Sequence, residues 1–426
     1  GFLLKGGRLL QVSDNKIPRV LYISYDGMLE PLGQSQVLQY LKPLASGYRI
    51  TLVSYEKPAD WADTLRRETL ITEVRSAGIH WVPLKYHKKL SVLATVYDLF
   101  AGFVVCTFLA ITRRINIVHA RSYVPSVIAL GLKKFLGIRF VFDMRGFWAD
   151  ERVERGIWGG ISKIYNVVKW LERHFLLNAN VVVSLTHAGV AVMRKFPYLK
   201  GRAPLFEVIP TCTNLETFSP VRSGGATTIN GNNDFVLGYV GSADTAYMFD
   251  PVLRCFKILR ESMEDARLLV ITRSSGECLN TLLKEYAIPE GCVEVKAVCH
   301  DRVAEEIGRM DAGIFFVKTG FSAIASAPTK LGEFLACGVP CLGNSGVGDV
   351  ESILEGERVG VILHEFSLDA EVEAVSRLLA LCSKSETKDR CVEVASRYFS
   401  LAQGVKSYGR VYDSLGRGGD GTKYRS

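Results

Sequence analysis

The chain has 426 residues, of which 48% are hydrophobic and 23% are charged, so it is longer than one ordinary domain and has a globular composition. This composition excludes a disordered, collagenous or coiled-coil chain. The part up to Thr213 has 29 basic and 15 acidic residues, a net charge of +14, whereas the rest has a net charge of −6.

Strand and helix patterns alternate through the first half of the chain. Short apolar runs predict buried strands, and apolar residues at helical spacing predict helices, two of which end at Gly78 and Gly137. The predicted strands are 19–24, 50–55, 80–84, 117–119, 140–143, 180–184 and 206–209. The predicted helices are 36–45, 65–77, 91–112, 126–135, 161–177 and 187–196. This alternation favours a parallel sheet with helices on both faces.

Residues 219–233 (SPVRSGGATTINGNN) lack a hydrophobic period and predict a linker or surface loop, after which the alternation resumes. The predicted strands of the second half are 235–240, 267–272, 293–296, 312–317 and 339–343. Its predicted helices are 251–260, 279–286, 303–310, 331–336 and 349–355. A last long helix, at about 391–415, is expected to cross back to the first domain. We therefore expect two Rossmann-like α/β domains, 17–213 completed by that helix and 214–390.

The apolar stretch 91–112 approaches the length of a membrane span. Asp98 lies inside it and would be costly at the centre of a bilayer, so we favour a buried helix of the first domain. The alternatives are a true span and a helix half-sunk in an anionic membrane surface, a partner that the basic first half would attract. Basic residues flank the stretch on both sides: Lys85, His87, Lys88, Lys89, Arg113 and Arg114.

Residues 325–349 (ASAPTKLGEFLACGVPCLGNSGVGD) are the most informative segment of the sequence. Pro328 suits the first turn of a helix, where free N–H groups and the positive end of the helix dipole can bind a phosphate. Lys330 would add a positive charge there, and Glu333, about one turn later, could accept hydrogen bonds from sugar hydroxyls. These residues taken alone also fit an ordinary structural helix.

This segment resembles the nucleotide-sugar site of family-4 retaining glycosyltransferases, in the branch with a P-T-K-L-x-E motif. The order E-F-L-A-C-G-V-P before a glycine-rich turn carries the resemblance. Further matches are VIP and FSP at 208–210 and 218–220, LGYVG at 237–241, and Gly33 in PLGQSQ. Together they cover nearly the whole chain in order. The resemblance implies the GT-B fold, in which two Rossmann-like domains have parallel sheets that face an interdomain cleft.

The resemblance also implies a donor site in the second domain, with departures from the family pattern. Glu333 matches the second glutamate of the E-x7-E motif, which binds the donor ribose. Ala325 stands where the first glutamate, which contacts the transferred sugar, would be. Ser242 and Tyr247 stand where the family has an arginine and a lysine.

These departures leave neutralisation of the diphosphate to Lys330, Arg273 and the backbone N–H groups of Thr329 and Lys330. The nucleotide base would be contacted by backbone around 297–300. The predicted donor-binding residues are Gly241, Ser242, Arg273, Val298, Thr329, Lys330 and Glu333.

The loop after the strand 140–143 reads MRGFWADE and would reach the cleft from the first domain. Asp143 or Arg145 replaces a histidine that related enzymes often have here, and Trp148 could stack on a sugar face. We predict Asp143, Arg145 and Lys330 as catalytic residues, with a structural Asp–Arg pair as the alternative. His119 ends a strand and also fits a structural role. The predicted acceptor or cleft residues are Gly33, Gln34, His119, Arg121, Trp148 and Thr211.

The function that we predict is transfer of a hexose-type sugar, with retention, from a nucleoside diphosphate to a glycan or lipid-linked glycan in cell-envelope polysaccharide synthesis. The resemblance implies that the departing diphosphate deprotonates the acceptor, so no metal and no other cofactor are expected. The sequence contains no Ser–His–Asp order, no HExxH motif and no Walker loop, so no motif of another enzyme class competes with this prediction. The alternatives are a nucleotide-sugar epimerase of similar fold and a non-catalytic scaffold with a degenerate donor site. A nucleic-acid partner is not expected, because the basic excess lacks a recognisable binding module.

The ten cysteines include no C-x-x-C pair, and the closest two are Cys337 and Cys341, so no zinc site is predicted. The apolar part of the first residues is too short for a secretory signal. We expect reduced thiols in a cytoplasmic protein, peripheral on the inner face of the plasma membrane.

Overall fold

Two sheets organise the chain in the computed structural model, which describes residues 17–87, 91–159, 162–220, 234–241, 247–272, 276–299 and 302–416. The first sheet has seven strands in the order β3-β2-β1-β4-β5-β6-β7. They are β1 (Arg19–Ser24), β2 (Arg49–Glu56), β3 (His80–Lys85), β4 (Ile117–Arg121), β5 (Arg139–Asp143), β6 (Val181–Ser184) and β7 (Leu205–Val208). β1 pairs in parallel with β2 and β4, so Leu21 lies between Thr51 and Val118. Both faces of β1 and β4 are buried, as expected for inner strands of a parallel sheet, and the buried residues of β4 include His119 and Arg121.

The second sheet has six strands in the order β10-β9-β8-β11-β12-β13. They are β8 (Val236–Val240), β9 (Arg267–Ile271), β10 (Val293–Lys296), β11 (Ala312–Ile314), β12 (Cys341–Asn344) and β13 (Gly360–Leu363). All of these neighbours pair in parallel. The chain moves from β8 to β9 on one side and reaches β11 on the other side. The carboxyl ends of β8 and β11 therefore form a topological switch point, where open parallel sheets bind ligands.

Helices alternate with these strands, as the sequence predicted. The first group is α1 (Pro31–Gly33), α2 (Gln39–Leu44), α3 (Pro58–Trp61), α4 (Thr64–Ser76), α5 (Ser91–Thr112), α6 (Tyr123–Leu136), α7 (Trp148–Glu154), α8 (Lys163–Asn178) and α9 (His187–Arg194). The second group is α10 (Asp250–Ser262), α11 (Gly276–Glu285), α12 (Val303–Ile307), α13 (Thr329–Ala336), α14 (Val350–Leu354), α15 (Leu368–Cys382), α16 (Thr387–Tyr398) and α17 (Leu401–Gly416). The elements α1, α3, α7, β13 and α15 were not predicted.

The single helix predicted at about 391–415 is wrong, because α16 ends before Phe399 and α17 starts after Ser400. The backbone of Thr213 occupies the break. Its N–H donates to the Phe399 carbonyl at 2.7 Å, and its carbonyl accepts from the Leu401 N–H at 3.1 Å. The polar backbone groups at the break are thus paired by a segment far away in the sequence, which helical spacing cannot reveal.

Two compact units divide the chain. The first comprises the residues up to Phe142, Asn178–Val181 and those from Tyr408 onward, and the second comprises Asp143–Leu177 and Val182–Ser407. This division differs from the predicted domain bounds, 17–213 and 214–390, which stay a prediction. In the second unit, the consecutive residues Phe315 and Phe316 belong to two different apolar clusters, because extended backbone points neighbouring side chains to opposite faces.

The end of α17 packs within the first unit through aromatic rings. Tyr412 is fully buried, its hydroxyl is 2.7 Å from Nδ1 of His119, and its ring meets Tyr48 edge-on at 5.2 Å between centroids. Tyr408 meets Tyr40 in the same way at 5.5 Å. Edge-on contacts of this kind stabilise aromatic pairs beyond the burial of their area.

Helix α5 has one buried face and one exposed apolar face. By length and composition the helix from Leu93 to Thr112 could cross a membrane, and 33% of it is buried. Asp98 is on the buried face and accepts a hydrogen bond from the Tyr25 hydroxyl at 3.0 Å, and His87 Nδ1 lies 2.6 Å from its other carboxylate oxygen. The exposed apolar residues are Leu93, Val96, Tyr97, Phe100, Val104, Phe108 and Ile111. The expectation of a wholly buried helix is therefore wrong for this face.

We expect the replacement Tyr412→Ala to lower the melting temperature clearly, since truncation of a buried aromatic ring costs about 3 kcal/mol. Tyr412→Phe keeps the ring and removes the hydroxyl, so its melting temperature should fall less. Thermal unfolding followed by circular dichroism would measure both. Equal melting temperatures for wild type and Tyr412→Ala would contradict the packing of α17 described above.

Candidate functional site

The candidate site lies at the switch point of the second sheet, where three segments meet. Gly241 follows the end of β8. Tyr247 forms an isolated antiparallel bridge with Val317, next to a hydrogen bond from the Met248 N–H to the Phe316 carbonyl at 2.9 Å. The first turn of α13 brings Lys330 to the same place. The site is therefore built from the ends of β8 and β11 and from one helix start.

Lys330 is buried with its ammonium over an aromatic ring. Its Nζ is 3.3 Å from the ring centroid of Tyr247 and 4.9 Å from that of Tyr239. Within the part of the chain that the structure describes, Nζ has no hydrogen-bond partner. A cation over a ring face is attracted by the ring quadrupole, but this attraction does not replace the hydrogen bonds of water.

Gly241 leaves the space that the ammonium occupies. It has a φ of +134°, and a Cβ at this position would lie 2.6 Å from Lys330 Nζ. A side chain at 241 would thus be strained by the backbone conformation and would also displace the lysine. The backbone conformation and the nearby ammonium together favour glycine at 241, the residue predicted from the LGYVG sequence.

Glu333 lies one helical turn after Lys330 and is also buried. Burial raises the pKa of Glu333 to about 7 and lowers the pKa of Lys330 to about 7, because each charged form loses contact with water. The opposite charge of each group counteracts the shift of the other. Both groups therefore change charge near neutral pH, and an anionic ligand next to Lys330 would favour its protonated form.

The start of α13 is fixed by a close approach of its backbone to the side chain of Thr213. Pro328 is extended at the N-cap, and no side chain caps the helix. A Cβ on Gly332 would lie 2.6 Å from Thr213 Oγ1, so the helix runs against the segment that fills the break between α16 and α17. Thr211, two residues earlier, is buried.

The loop after β5 reaches the segment that precedes α13. Asp143 is buried at the end of β5, and the Met144 N–H donates to the Val183 carbonyl at 3.0 Å. Arg145 has a φ of +59°, and a Cβ on Gly146 would lie 3.6 Å from the carbonyl oxygen of Ala325. Of the predicted catalytic residues, Asp143 thus ends β5 and Arg145 lies in the following loop, whose Gly146 is close to Ala325, where the family's first glutamate would stand.

Trp148 begins α7 in the same region. Its ring packs edge-on against Trp158 at 5.1 Å, and the Arg152 guanidinium lies 5.4 Å from its centroid. The predicted stacking of Trp148 on a sugar is not tested and stays a prediction.

Residues that the sequence reasoning missed tie α9 to the segment around Ala325. The Thr186 hydroxyl donates to the Ile324 carbonyl at 2.8 Å. The Asp349 carboxylate accepts from the N–H groups of His187 at 2.7 Å and Ala188 at 2.9 Å, where the helix dipole favours a negative charge. Gly348, next to Asp349, is the one residue of the sequence that indicates close packing here. A Cβ at 348 would lie 2.2 Å from the Ser326 carbonyl oxygen.

The remaining predicted residues are in other places. In the first unit, Gly33 ends α1 and packs against Gly27, whose carbonyl oxygen would lie 2.1 Å from a Cβ at 33, and Gln34 begins the π-helical segment that follows. His119 is fully buried against Tyr412, which favours the structural alternative. Arg121 is buried and pairs with Asp26.

In the second unit, Thr329 opens α13 and Val298 follows β10. Ser242 and Arg273 lie outside the described residues. Among the residues that are described, no three His, Cys, Asp or Glu side chains are grouped closely enough to hold a metal ion.

Solved structures of low sequence identity share this fold. Sucrose-phosphate synthase from Thermosynechococcus elongatus is 16% identical with a TM-score of 0.69, covering 93% of this chain and 99% of that chain. HepE from Anabaena, in complex with UDP, is 12% identical with a TM-score of 0.66, covering 93% and 100%. The trehalose-6-phosphate structure from E. coli bound with UDP-2-fluoro glucose is 11% identical with a TM-score of 0.65, covering 93% and 99%. No protein-family model and no curated protein matches the sequence.

These neighbours are GT-B glycosyltransferases, and the two parallel sheets of this chain have the same architecture, so the chain has the GT-B fold. The fold predicted from the sequence is confirmed. Identities this low show the fold alone, and the assignment to family 4 stays a prediction.

We expect Lys330→Met to stabilise the protein near neutral pH. The pKa of Lys330 is lowered in the folded state, so the unfolded chain binds its proton more tightly. This disfavours folding fully below about pH 7, and the penalty disappears as the pH rises toward 10.5. The variant should melt at least ~3 °C above wild type at about pH 6.5, with a smaller difference at about pH 9.

A matched control for this experiment is Lys257→Met, because Lys257 is an exposed lysine on α10. Its melting temperature should stay close to that of wild type at both pH values. A Lys330→Met variant that melts below wild type at about pH 6.5 would show that the ammonium stabilises the fold and would contradict the description of an unsatisfied buried cation.

Proposed function

We propose that this protein is a retaining glycosyltransferase that moves a sugar from a nucleoside diphosphate to a glycan or lipid-linked glycan. The observation that carries the proposal is the Lys330 ammonium, which is buried at the switch point without a hydrogen-bond acceptor in the described residues. A diphosphate would supply the missing acceptors and a negative charge. Two of the similar structures hold UDP or a UDP-sugar, which supports this class of ligand.

The roles of the residues follow from their positions. Lys330 and the backbone at the start of α13 hold the diphosphate, and Glu333 accepts hydrogen bonds from the ribose hydroxyls. Asp143, at the end of β5, and Arg145, in the loop next to Ala325, orient the sugars. The bond from the anomeric carbon to the diphosphate oxygen breaks, the diphosphate accepts the proton of the acceptor hydroxyl, and the new glycosidic bond forms on the same face. The protein then needs only to orient two sugars and stabilise the diphosphate charge.

We propose that this transfer requires no metal ion. A divalent cation in other phosphoryl-containing sites neutralises the leaving diphosphate. In the proposed reaction Lys330 does this instead, and the positive end of the α13 dipole adds to its effect.

A membrane-bound acceptor is supported by the exposed apolar face of α5. Phe135 at the end of α6 extends this face, since its ring lies 6.2 Å from that of Phe103 on α5. Exposed basic residues border it, namely Arg113, Arg114 and Lys134. Apolar and basic residues in this combination bind the interface of an anionic membrane. We therefore propose a peripheral protein of the cytoplasmic face, acting on a lipid-linked acceptor in the synthesis of cell-envelope polysaccharide.

A second candidate function is a non-catalytic scaffold, and one observation favours it. Ala325 is buried, and the Cβ of Ala325 lies 3.1 Å from where a Cβ on Gly189 would be. The glutamate that the family uses to contact the transferred sugar is thus replaced by a small buried side chain next to a glycine of α9. A scaffold would retain the fold and not bind the donor.

We expect a nucleoside diphosphate to raise the melting temperature of wild type without added metal. A ligand at 100 times its Kd adds about 2.7 kcal/mol to the stability of the folded state. A panel of UDP, GDP, ADP and CDP in a thermal-shift titration would identify the base. Glu333→Gln should weaken the binding roughly 10-fold or more, because it removes charge-assisted hydrogen bonds to the ribose.

The matched control for this variant is Glu305→Gln, since Glu305 is exposed on α12. It should bind like wild type. If no diphosphate shifts the melting temperature of wild type, with or without metal, the donor site is refuted and the scaffold becomes the better account.

We expect Phe100→Glu combined with Phe108→Glu to reduce binding to anionic vesicles at least ~10-fold, because two exposed aromatic side chains lose their burial in the interface. Co-sedimentation with phosphatidylcholine vesicles, with and without phosphatidylglycerol, at low salt would measure this. Leu65→Glu is the control, since Leu65 is an exposed apolar residue of α4 on a helix surface that is otherwise polar. Equal vesicle binding by all variants would refute the membrane surface.

A further inference from the structure

Tyr247 stands where the family resemblance places a lysine, and its position is fixed by backbone contacts. Its isolated bridge with Val317 and the Met248 N–H bond to Phe316 hold it beside the end of β11. Burial raises the pKa of the Tyr247 phenol to about 12, so the ring is neutral at physiological pH. The chain thus has an uncharged aromatic face where the family has a second cation.

The ring face of Tyr247 lies against the Lys330 ammonium. The distance of 3.3 Å from Nζ to the ring centroid is short for a cation–π contact, and the burial of Lys330 shields it from water. Tyr239 of β8 contributes a second, more distant ring at 4.9 Å. Gly241 also lies next to the ammonium and presents no side chain to it. The ammonium therefore keeps its hydrogen-bonding capacity while it is held in place.

The charged and titratable groups around this lysine come from four segments. Glu333 of α13 faces it with the opposite charge, and Tyr239 and Tyr247 contribute neutral phenols. Arg155, at the end of α7, acts electrostatically on Tyr247. No carboxylate forms an ion pair with Lys330 in the described residues, although many lysines of this chain have one.

We propose that Tyr247 is a positioning residue, whose ring holds Lys330 without occupying its hydrogen bonds, so that a diphosphate binds Lys330 together with a proton. This inference rests on the proposed function. Where Lys330 is a neutral amine before the diphosphate arrives, it takes one proton from solvent, and the resulting ammonium donates to the phosphate oxygens; where it is already an ammonium, no proton is taken up. The lowered pKa of Lys330 agrees with this coupling, because the amine is mostly neutral above pH 7.

The coupling predicts a characteristic dependence on pH. Above pH 7 the nucleoside diphosphate keeps its charge, so its affinity should fall with the fraction of Lys330 that is protonated, by up to roughly 10-fold per pH unit. Loss of the aromatic ring removes an interaction that favours the charged form. The midpoint of the pH profile should then move to lower pH, and the affinity at pH 7 should fall about 5-fold.

The experiment is isothermal titration calorimetry of wild type, Tyr247→Leu, Tyr247→Phe and Lys330→Met with the diphosphate that wild type binds. Measurements from pH 7 to pH 9, in two buffers of different ionisation enthalpy, give the affinity and the number of protons taken up. We expect wild type to take up close to one proton at about pH 8.5. Tyr247→Leu should show the weaker affinity and the shifted midpoint, and Tyr247→Phe, which keeps the ring face, should restore both.

Two results would overturn the inference while the proposed function stands. One is wild-type affinity and an unchanged pH profile in Tyr247→Leu. The other is an unchanged proton uptake in Lys330→Met, which would place the proton on another group. Should Tyr247→Leu fail to fold, Lys330→Met alone still decides the second result. If wild type binds no diphosphate at any pH, the proposed function fails and this inference fails with it.

Discussion

The burial of one ammonium group without a hydrogen-bond acceptor is the constraint on which the candidate site depends. Water would satisfy this group, and the fold removes it from water. The surrounding residues reduce this cost and leave the N–H groups of the ammonium available. Two aromatic rings attract the charge, a buried glutamate lies on the next helical turn, and a glycine leaves room for the ammonium. None of them donates or accepts a hydrogen bond with Nζ among the described residues. In the proposed function, an anion supplies the hydrogen-bond acceptors that Nζ lacks among the described residues.

The fold provides the rigidity that such a site needs. Lys330 is at the start of a helix whose Gly332 touches Thr213, and Thr213 is bonded into the break between two later helices. Segments from three distant parts of the sequence therefore hold one helix start in place. The ends of β8 and β11 do the same for Tyr247 through a single backbone bridge. Binding groups on rigid elements keep their geometry when water is excluded, which is where electrostatic interactions are strongest.

Most of the fold could be predicted from the sequence, because strands buried on both faces and amphipathic helices have clear periods. The failure at about 391–415 has a physical reason, since the break is stabilised by Thr213 and not by any local signal. The same distinction applies to the site. Lys330 and Glu333 could be found because one helical turn separates them, and a helix start has its own chemistry. The contacts of Tyr247 and Asp349 could not be predicted, because their partners lie far away in the chain and only the fold brings them together. The apolar period of α5 was visible, but the face that it leaves exposed depends on what packs against its other side.

The contact between Gly241 and Lys330 has a consequence for the history of this sequence. A side chain at 241 would meet the end of the lysine side chain, so Lys330 would have to shift when the glycine is replaced. If Gly241 is replaced before Lys330, the intermediate sequence has a displaced Lys330 ammonium and a strained backbone at 241. A lineage that shortens the lysine first loses the cation but removes the collision, and the glycine is then held only by its backbone conformation. Among descendants of this chain, positions 241 and 330 should therefore covary, and substitutions at 330 should precede those at 241.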